Sequence, residues 1–155
     1  TGLSNRLVDR LRQKEGLSYG VGSRVMLPKF GDRAFWSLFA ITAPQNLARA
    51  ELCAREEIAR ILKDGVTEKE LQEAKKGLLQ SRAVNRAQDD YLAQGWLGFL
   101  AMGKTFAYSK AFDDAVEKLT VADVNAALKR MIDETSITWV LAGDAAKAKA
   151  EGKAF

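Results

Sequence analysis

The sequence contains no histidine, one cysteine and two prolines among its 155 residues. Without histidine, the chain lacks the commonest metal ligand and the usual acid–base group near neutral pH. A single cysteine, Cys53, excludes a disulfide bond within the chain. Cys53 shares a helical stripe with Ala50, Ala54 and Ile58. We therefore expect Cys53 to be a small buried apolar side chain and not a nucleophile.

Long apolar runs are also missing. No run approaches the roughly 20 residues that a membrane-spanning helix needs, so we expect no membrane span. The formal net charge is only +4, and basic residues are interspersed with acidic ones, as in Lys14-Glu15. The densest basic cluster lies on one predicted helix and comprises Lys75, Lys76, Arg82 and Arg86. A nucleic-acid binder more often shows a basic stripe with aromatic residues beside it, so we expect no nucleic-acid partner.

Helical periodicity covers most of the chain. It predicts helices over 4–14, 45–64, 67–102 with a break near 88–90, 109–119 and 120–132. Two of these helices begin with a Thr followed three residues later by an acidic residue, a capping pattern. These pairs are Thr67 with Glu70 and Thr120 with Asp123. Gly16 is expected to end the first helix.

Three segments are predicted to be strands: 18–27, 34–42 and 137–142. In the first strand, Tyr19, Val21, Val25 and Leu27 should share one face. The second strand is apolar on both faces, so both faces need cover. Either the helix layer and a few exposed apolar residues account for this, or one sheet face meets a neighbouring domain or a bound peptide.

The pattern predicts one α+β domain with two layers, an antiparallel sheet packed with helices. We expect this domain to cover residues 1–144. The Lys/Ala-rich residues 145–155 are expected to form a mobile tail.

Most groups of polar residues in the sequence do not form a convincing site. Adjacent carboxylates such as Asp113-Asp114 diverge on a helix, and without histidine or cysteine partners a transition-metal site is not expected. The glycines at positions 16, 20 and 22 follow a helix and lack the Lys-Ser/Thr of a phosphate-binding loop. Arg12 and Tyr19 remain, near a helix-to-strand junction. Both can donate hydrogen bonds to an oxygen, but the residues alone favour a structural explanation, in which Arg12 is a helix-end cation and Tyr19 a packed strand residue.

Two runs resemble the signature of the pitrilysin/insulinase family of zinc metallopeptidases: Leu3-Ser4-Asn5-Arg6-Leu7 and Leu11-Arg12-x-Lys14-Glu15-x-Leu17-x-Tyr19. Specifically, they are similar to the family's non-zinc homologous domain, which contributes an Arg and a Tyr seven residues apart to the active site. The likeness continues through the helix that Thr67 opens and through Leu119-Thr120-x-x-Asp123-Val124 into the third predicted strand, and so covers residues 2–144.

The resemblance implies a substrate-binding and transition-state-supporting domain of a zinc-dependent endopeptidase, with Arg12 and Tyr19 hydrogen-bonding a substrate carbonyl or oxyanion. The zinc would lie in another homologous domain or subunit, because the family's H-x-x-E-H helix needs histidines. The isolated chain is then expected to bind no metal and to be inactive, with a peptide or unfolded polypeptide as the substrate of the complete enzyme. The alternative is a non-catalytic scaffold subunit of the same fold.

The usual domain of this family begins with a further strand and helix, so we expect this chain to be a truncated C-terminal domain or part of a partner subunit. Family relatives also suggest a location. The bacterial periplasm is favoured, with the mitochondrion as the alternative.

Overall fold

A computed structural model describes residues 2–28, 33–144 and 146–147. The chain divides into two compact units. Residues 2–65, together with those from 125 onward, form what we call the sheet unit. Residues 66–124 form the helical unit. The predicted tail, 145–155, lies outside the described residues apart from 146 and 147.

The sheet unit opens with a short helix that changes its winding. Helix α1 (Leu3–Leu7) continues directly into a π-helical segment, Val8–Lys14. Gly16 then turns the chain with a φ of +62°, and the Leu17 amide donates back to the Leu11 carbonyl at 2.8 Å. A glycine in this left-handed conformation is a common helix ending, as the sequence predicts.

Two antiparallel strands follow, β1 (Ser18–Met26) and β2 (Phe35–Thr42). Ser18 pairs with Thr42 and Gly20 pairs with Ile41, so Tyr19 is an extra residue in β1, a β-bulge. The bulge interrupts the alternation of faces. Val21 packs against the core while Tyr19 is 74% exposed. The prediction that Tyr19 and Val21 share a face is therefore wrong.

The core of the sheet unit lies between its first helix, the hairpin and α2 (Leu47–Asp64). Its fully or nearly buried apolar residues are Leu7, Leu11, Ala50, Cys53 and Ala54. Partly buried side chains close over them: Leu3, Leu17, Val21, Leu38, Ala40 and Trp139. Each fully buried leucine contributes about 2 kcal/mol through burial. The prediction that Cys53 is a core residue is confirmed, since its side chain is buried.

The third predicted strand, 137–142, is not part of the described sheet, so this prediction is wrong. Its residues pair with no other described strand, and the described sheet has the two strands β1 and β2 alone. Ile137 has extended dihedral angles, and Trp139 packs against the core while Val140 is 85% exposed. Buried and exposed side chains therefore alternate along this segment, as the sequence predicts. The segment is not a β-strand, because no hydrogen-bonded neighbouring strand is found among the described residues.

The helical unit contains three helices and the start of a fourth. They are α3 (Glu68–Arg86), α4 (Asp89–Ala101), α5 (Phe106–Lys118) and the beginning of α6 (Val121–Met131). The break predicted near 88–90 falls between α3 and α4. Two short 3₁₀ turns, Pro44–Asn46 and Glu134–Ser136, belong to the sheet unit.

Both predicted capping patterns are present. The Glu70 amide donates to the Thr67 hydroxyl at 3.2 Å, and the Thr67 amide donates to the Glu70 carboxylate at 2.8 Å. Thr120 and Asp123 make the same reciprocal pair at 3.2 and 2.9 Å. These two capping boxes satisfy amides that the first helical turn leaves without partners.

The basic cluster on α3 is largely occupied by partners within the helical unit. Arg82 and Arg86 both form ion pairs with Asp113, and the Lys75 ammonium donates to the Glu117 carbonyl at 2.9 Å. These side chains stabilise the packing of α3 against α5.

The predicted α+β class, with helices packed on an antiparallel sheet, is confirmed. Among the described residues, no helix combines the length and the apolar character needed to cross a bilayer.

Candidate functional site

Arg12 lies on the surface, in the π-helical segment Val8–Lys14. Its neighbour Leu11 is fully buried, as is Leu7 one turn earlier. These two anchors fix the segment against the core, so the backbone that carries Arg12 is held although the guanidinium is exposed.

The charged groups around Arg12 are paired with one another. Lys14 forms an ion pair with Asp9 at 2.7 Å. Glu15 receives Arg49 at 2.9 Å and Arg10 at 3.2 Å. The hydrogen bond to Glu15 raises the pKa of Arg49 above its usual value, because the contact stabilises the charged guanidinium.

Arg10 also forms an ion pair with Glu56 at 2.9 Å, so Arg10 is paired as well. Arg12 differs from these neighbours. Arg12 has no hydrogen bond or ion pair with any other described residue. A permanent cation without a counter-ion, on an ordered backbone, is available to an external oxygen.

Tyr19 also lies on the surface, because the bulge directs it there. Its side chain is 74% exposed, on a strand whose first residue, Ser18, is buried. Bulges are frequent beside functional sites, since the extra residue re-aims a side chain without disturbing the strand beyond it. The Tyr19 hydroxyl is therefore presented to solvent from an ordered position.

The junction between Arg12 and Tyr19 is held by two hydroxyl groups. The Ser18 hydroxyl lies 2.6 Å from the Ile41 carbonyl oxygen and 2.8 Å from the Gly20 carbonyl oxygen. The Thr42 hydroxyl donates to the Leu17 carbonyl at 2.6 Å. Together with the Gly16 turn, these bonds tie the end of the helix to the start of β1 and to β2.

This arrangement can bind oxygen atoms. A guanidinium and a phenol are both hydrogen-bond donors, and each can meet a carbonyl or an oxyanion. The carboxylates of Asp9, Glu15 and Glu56, in the same sheet unit, are held in ion pairs. Arg12 and Tyr19 can each donate a hydrogen bond to an external oxygen atom.

The residues that the structure describes offer no cluster of metal ligands. Among the described residues, no three His, Cys, Asp or Glu side chains lie close enough together to hold an ion. The sequence also contains no histidine. We derive no step through a metal from these residues.

The structure adds a feature that sequence reasoning missed. A groove with a volume of about 650 Å³ lies in the sheet unit beside β2, α2 and the extended residues 137–141. Neither Arg12 nor Tyr19 lines it. Two sequence signals point toward it: the strand predicted over 34–42 is apolar on both faces, and the strand predicted over 137–142 has no partner strand among the described residues.

Comparison with known proteins identifies the family. Residues 1–78 match the family model described as the peptidase M16 inactive domain. An uncharacterized zinc protease of Mycobacterium tuberculosis is 30% identical over 133 residues, which is 84% of this chain and 30% of that protein. The non-peptidase homolog YmxG of Helicobacter pylori is 21% identical over 148 residues, covering 96% of this chain and 34% of that protein.

Solved structures agree with this result. The peptidase M16 inactive domain from Pseudomonas fluorescens superposes with a TM-score of 0.69 at 27% identity, covering 86% of this chain and 34% of that one. The periplasmic protease PqqL from Escherichia coli shares the fold, with a TM-score of 0.65 at 23% identity, over 83% of this chain and 14% of that one.

The fold and the family model together identify the homologous domain that the peptidase M16 family model describes as inactive. The chain belongs to the peptidase M16 inactive-domain family. This confirms the resemblance to the non-zinc domain of the pitrilysin/insulinase peptidases. The chain spans about 30% of the length of the curated zinc proteases that it matches.

Proposed function

We propose that this chain is the substrate-binding and transition-state-supporting domain of a zinc-dependent endopeptidase whose zinc site lies in another domain or subunit. The single observation that supports this proposal most strongly is that Arg12 is exposed and makes no ion pair with a described residue. It is an exposed cation on an anchored backbone, and the charged groups around it are already paired with one another.

The two donors have different tasks in this proposal. Tyr19 donates a hydrogen bond from its hydroxyl to the oxygen of the scissile carbonyl, where negative charge develops during attack. Arg12 binds a neighbouring substrate carbonyl and adds positive potential. Preorganised donors of this kind contribute about 3 kcal/mol each in well-studied hydrolases.

The substrate in this proposal is a peptide or an unfolded polypeptide. Peptide carbonyls are neutral acceptors that recur along an extended chain, and they match two donors that stand seven positions apart on one junction. Exposed apolar side chains on β2, at Phe39 and Ile41, provide further contact area on the strand that pairs with β1.

A second candidate function belongs to a different class. The Helicobacter pylori relative is named a non-peptidase homolog, and it matches nearly the whole chain. A scaffold subunit of the same fold would keep the buried junction but make no use of the Arg12 and Tyr19 donors.

The deciding experiment uses the complete protein, purified with any subunit that accompanies it. We expect about one zinc per complete enzyme, cleavage of a peptide mixture, and loss of that cleavage with a chelator. The isolated 155-residue chain should neither take up catalytic zinc nor cleave the same peptides. If the complete protein contains no zinc and cleaves none of the peptides, the scaffold function is supported and the peptidase proposal is overturned.

We also propose that the protein works in the bacterial periplasm, with the mitochondrion as the alternative. The first location is supported by the likeness to PqqL, a periplasmic protease of Escherichia coli with the same fold. Fractionation of the source cells tests this directly, because recovery with the periplasmic fraction is expected and recovery with the cytosol would contradict it.

A further inference from the structure

The π-helical segment Val8–Lys14 forms ion pairs with an unusual spacing. Lys14 pairs with Asp9 at 2.7 Å, and Glu15 pairs with Arg10 at 3.2 Å. In each pair the partners lie five positions apart. The backbone has the same spacing here, because the Glu15 amide donates to the Arg10 carbonyl at 3.1 Å. The ion pairs therefore follow the π-helical winding, which bonds each amide to the carbonyl five residues earlier.

The same sequence wound as an ordinary α-helix would pair differently. Side chains three or four positions apart are neighbours on an α-helix, and opposite charges at that spacing attract. Asp9 and Glu15 each lie three positions from Arg12, one before it and one after it. Arg10 and Lys14 are four positions apart and would be neighbours of like charge. An α-helical winding would thus bring both carboxylates toward Arg12.

The π-helical winding separates Arg12 from these carboxylates. It adds a residue to the turn, so side chains five positions apart come together and those three positions apart move away from each other. In the structure both carboxylates are paired with other cations, and Arg12 makes no ion pair with a described residue. π-Helical turns are rare and are frequent at functional sites.

A cation from α2 also holds Glu15. Arg49 donates to both carboxylate oxygens of Glu15, from one terminal nitrogen at 2.9 Å and from Nε at 3.4 Å. Arg10 forms a further ion pair with Glu56 on the same helix at 2.9 Å. Both oxygens of Glu15 are therefore engaged by cations other than Arg12.

Competition for Arg12 gives this pairing a consequence for binding. A carboxylate attracts a guanidinium more strongly than the neutral oxygen of a peptide carbonyl does, because both partners are then charged. An unoccupied carboxylate beside Arg12 would compete with a substrate carbonyl for its donors.

We propose that the π-helical winding of this segment keeps Arg12 available to a substrate. Lys14 and Arg10 act as positioning residues and do not touch the substrate. Each holds a carboxylate, that of Asp9 or of Glu15, which would otherwise pair with Arg12. The link to turnover rests on the proposed function, in which Arg12 binds a substrate carbonyl, whereas the pairing itself can be tested without any peptide.

Phenylglyoxal measures how available each arginine is in the complete protein. It reacts with the uncharged guanidine, so a carboxylate in contact slows the reaction by stabilising the charged form. Mass spectrometry of the digested protein gives the rate at each position. Arg12 should react faster than Arg49, which is exposed but paired with Glu15. An equal or slower reaction of Arg12 would overturn the proposal.

Lys14→Gln tests the pair on one side of Arg12. It releases Asp9 and removes one of the contacts that favour the π-helical spacing, so Arg12 should react about twofold more slowly, the size that an exposed helix pair allows. Adding Asp9→Asn removes the competing carboxylate and should restore the wild-type rate. Lys63→Gln, at an exposed lysine of α2, is the control for the loss of a surface charge.

Three outcomes of this comparison would contradict the proposal. The first is an unchanged Arg12 rate in Lys14→Gln, and the second is a slowing that Asp9→Asn does not reverse. The third is slowing of the same size in Lys63→Gln, which would indicate an effect of general surface charge.

Arg49→Gln tests the other side of Arg12 independently. It frees the Glu15 oxygen that Arg49 Nε contacts, while Arg10 still holds the other oxygen. We expect the Arg12 reaction to slow again, and Glu15→Gln in the same chain to restore it. If the single and the double variant react at the wild-type rate, Glu15 does not compete for Arg12 and this half of the proposal is wrong.

Peptide cleavage by the same variants separates this proposal from the proposed function. We expect kcat/KM on one fluorogenic peptide to fall about twofold in Lys14→Gln and to recover in the double variant with Asp9→Asn, in parallel with the phenylglyoxal rates. If the phenylglyoxal rates follow this pattern while kcat/KM stays constant, the pairing stands and the proposed role of Arg12 is wrong. If kcat/KM changes while the Arg12 reaction rate does not, Lys14 acts in another way and the pairing proposal is overturned.

Discussion

The Ser18 hydroxyl donates a hydrogen bond to the Ile41 carbonyl oxygen at 2.6 Å, across the bulge that gives β1 its extra residue. The same hydroxyl lies 2.8 Å from the Gly20 carbonyl oxygen. The backbone on both sides of Tyr19 is therefore held by the hydroxyl of a buried side chain. The direction of the phenol depends on a buried serine.

Ser18→Ala should disturb the presentation of Tyr19 without removing it. Losing the hydrogen bond costs about 1 kcal/mol of stability. We expect kcat in the complete enzyme to fall several-fold at temperatures where the variant is fully folded, with KM little changed. Ser37→Ala, a half-buried serine of β2, is the matched control. Equal kcat in both variants would show that Ser18 has a structural role alone.

Tyr19→Phe removes one hydroxyl from an exposed side chain, so folding and zinc content should be preserved. If the hydroxyl stabilises the oxyanion, kcat should fall about 10²-fold. Tyr91→Phe, an exposed tyrosine of α4, should leave kcat unchanged. Steady-state kinetics on one fluorogenic peptide measures kcat for both variants. Normal turnover in Tyr19→Phe would contradict the proposal that the Tyr19 hydroxyl stabilises the oxyanion.

Arg12→Ala removes the cation that has no partner among the described residues, so little stability should be lost. We expect kcat/KM to fall about tenfold or more, with partial recovery in Arg12→Lys because an ammonium keeps the charge but not the planar donor fork. Arg24→Ala, an exposed arginine of β1, is the control. An equal effect of the two alanine variants would point to general surface charge and not to a positioned group.

Gly65 should not tolerate a side chain. It has a φ of +75°, and a Cβ atom built there would lie 2.4 Å from the Asn125 amide nitrogen. Its carbonyl also accepts a hydrogen bond from Arg6 at 2.8 Å. Gly65→Ala should lower the free energy of unfolding by more than about 1 kcal/mol.

Gly77→Ala should raise the free energy of unfolding, and it serves as the control for Gly65→Ala. Gly77 lies inside α3, and a Cβ atom there would meet nothing within 4 Å. Alanine in a helix interior is favoured over glycine by about 1 kcal/mol. Urea denaturation of both variants measures the contrast, and destabilisation of similar size in both would contradict the local origin of the Gly65 effect.

Asp113 should make the helical unit sensitive to acid. Burial alone would raise the pKa of this carboxyl, but the hydrogen bonds from Arg82 and Arg86 outweigh burial and hold the pKa below its ordinary value of 3.8. The stabilisation is complete above pH 3.8 and is lost as the pH falls through the lower native pKa.

Asp113→Asn tests this dependence. At neutral pH it should cost about 2 kcal/mol, because two arginines lose their charged acceptor. The gap between wild type and variant should narrow as the pH falls below 3.8. Thermal unfolding from about pH 7 down to about pH 2 measures the gap, and a constant difference would show that Asp113 is not the titrating group.

Features set by neighbouring residues were predictable from the sequence. The two capping boxes at Thr67 and Thr120 are present as expected, since each needs only two side chains three positions apart. Gly16 ends its helix for a similar reason. Cys53 is buried because the stripe of apolar residues around it follows the helical period.

Features set by pairing between distant segments were not predictable. The bulge at Tyr19 depends on how β1 registers with β2, which no local pattern of β1 reveals. The π-helical winding of Val8–Lys14 likewise has no signature in the spacing of its leucines. Residues 137–142 have the alternation of a strand, but a strand also needs a neighbour to bond with.

The two units differ in how far apart their residues lie along the chain, and this bears on the order of folding. The helical unit is one continuous stretch, 66–124. The sheet unit joins 2–65 to residues beyond 124 and so must close a loop of about 60 residues. During synthesis the helical unit emerges whole while the sheet unit still waits for Trp139. Chains stalled in translation before residue 139 should therefore carry a protease-resistant helical core and an unprotected hairpin.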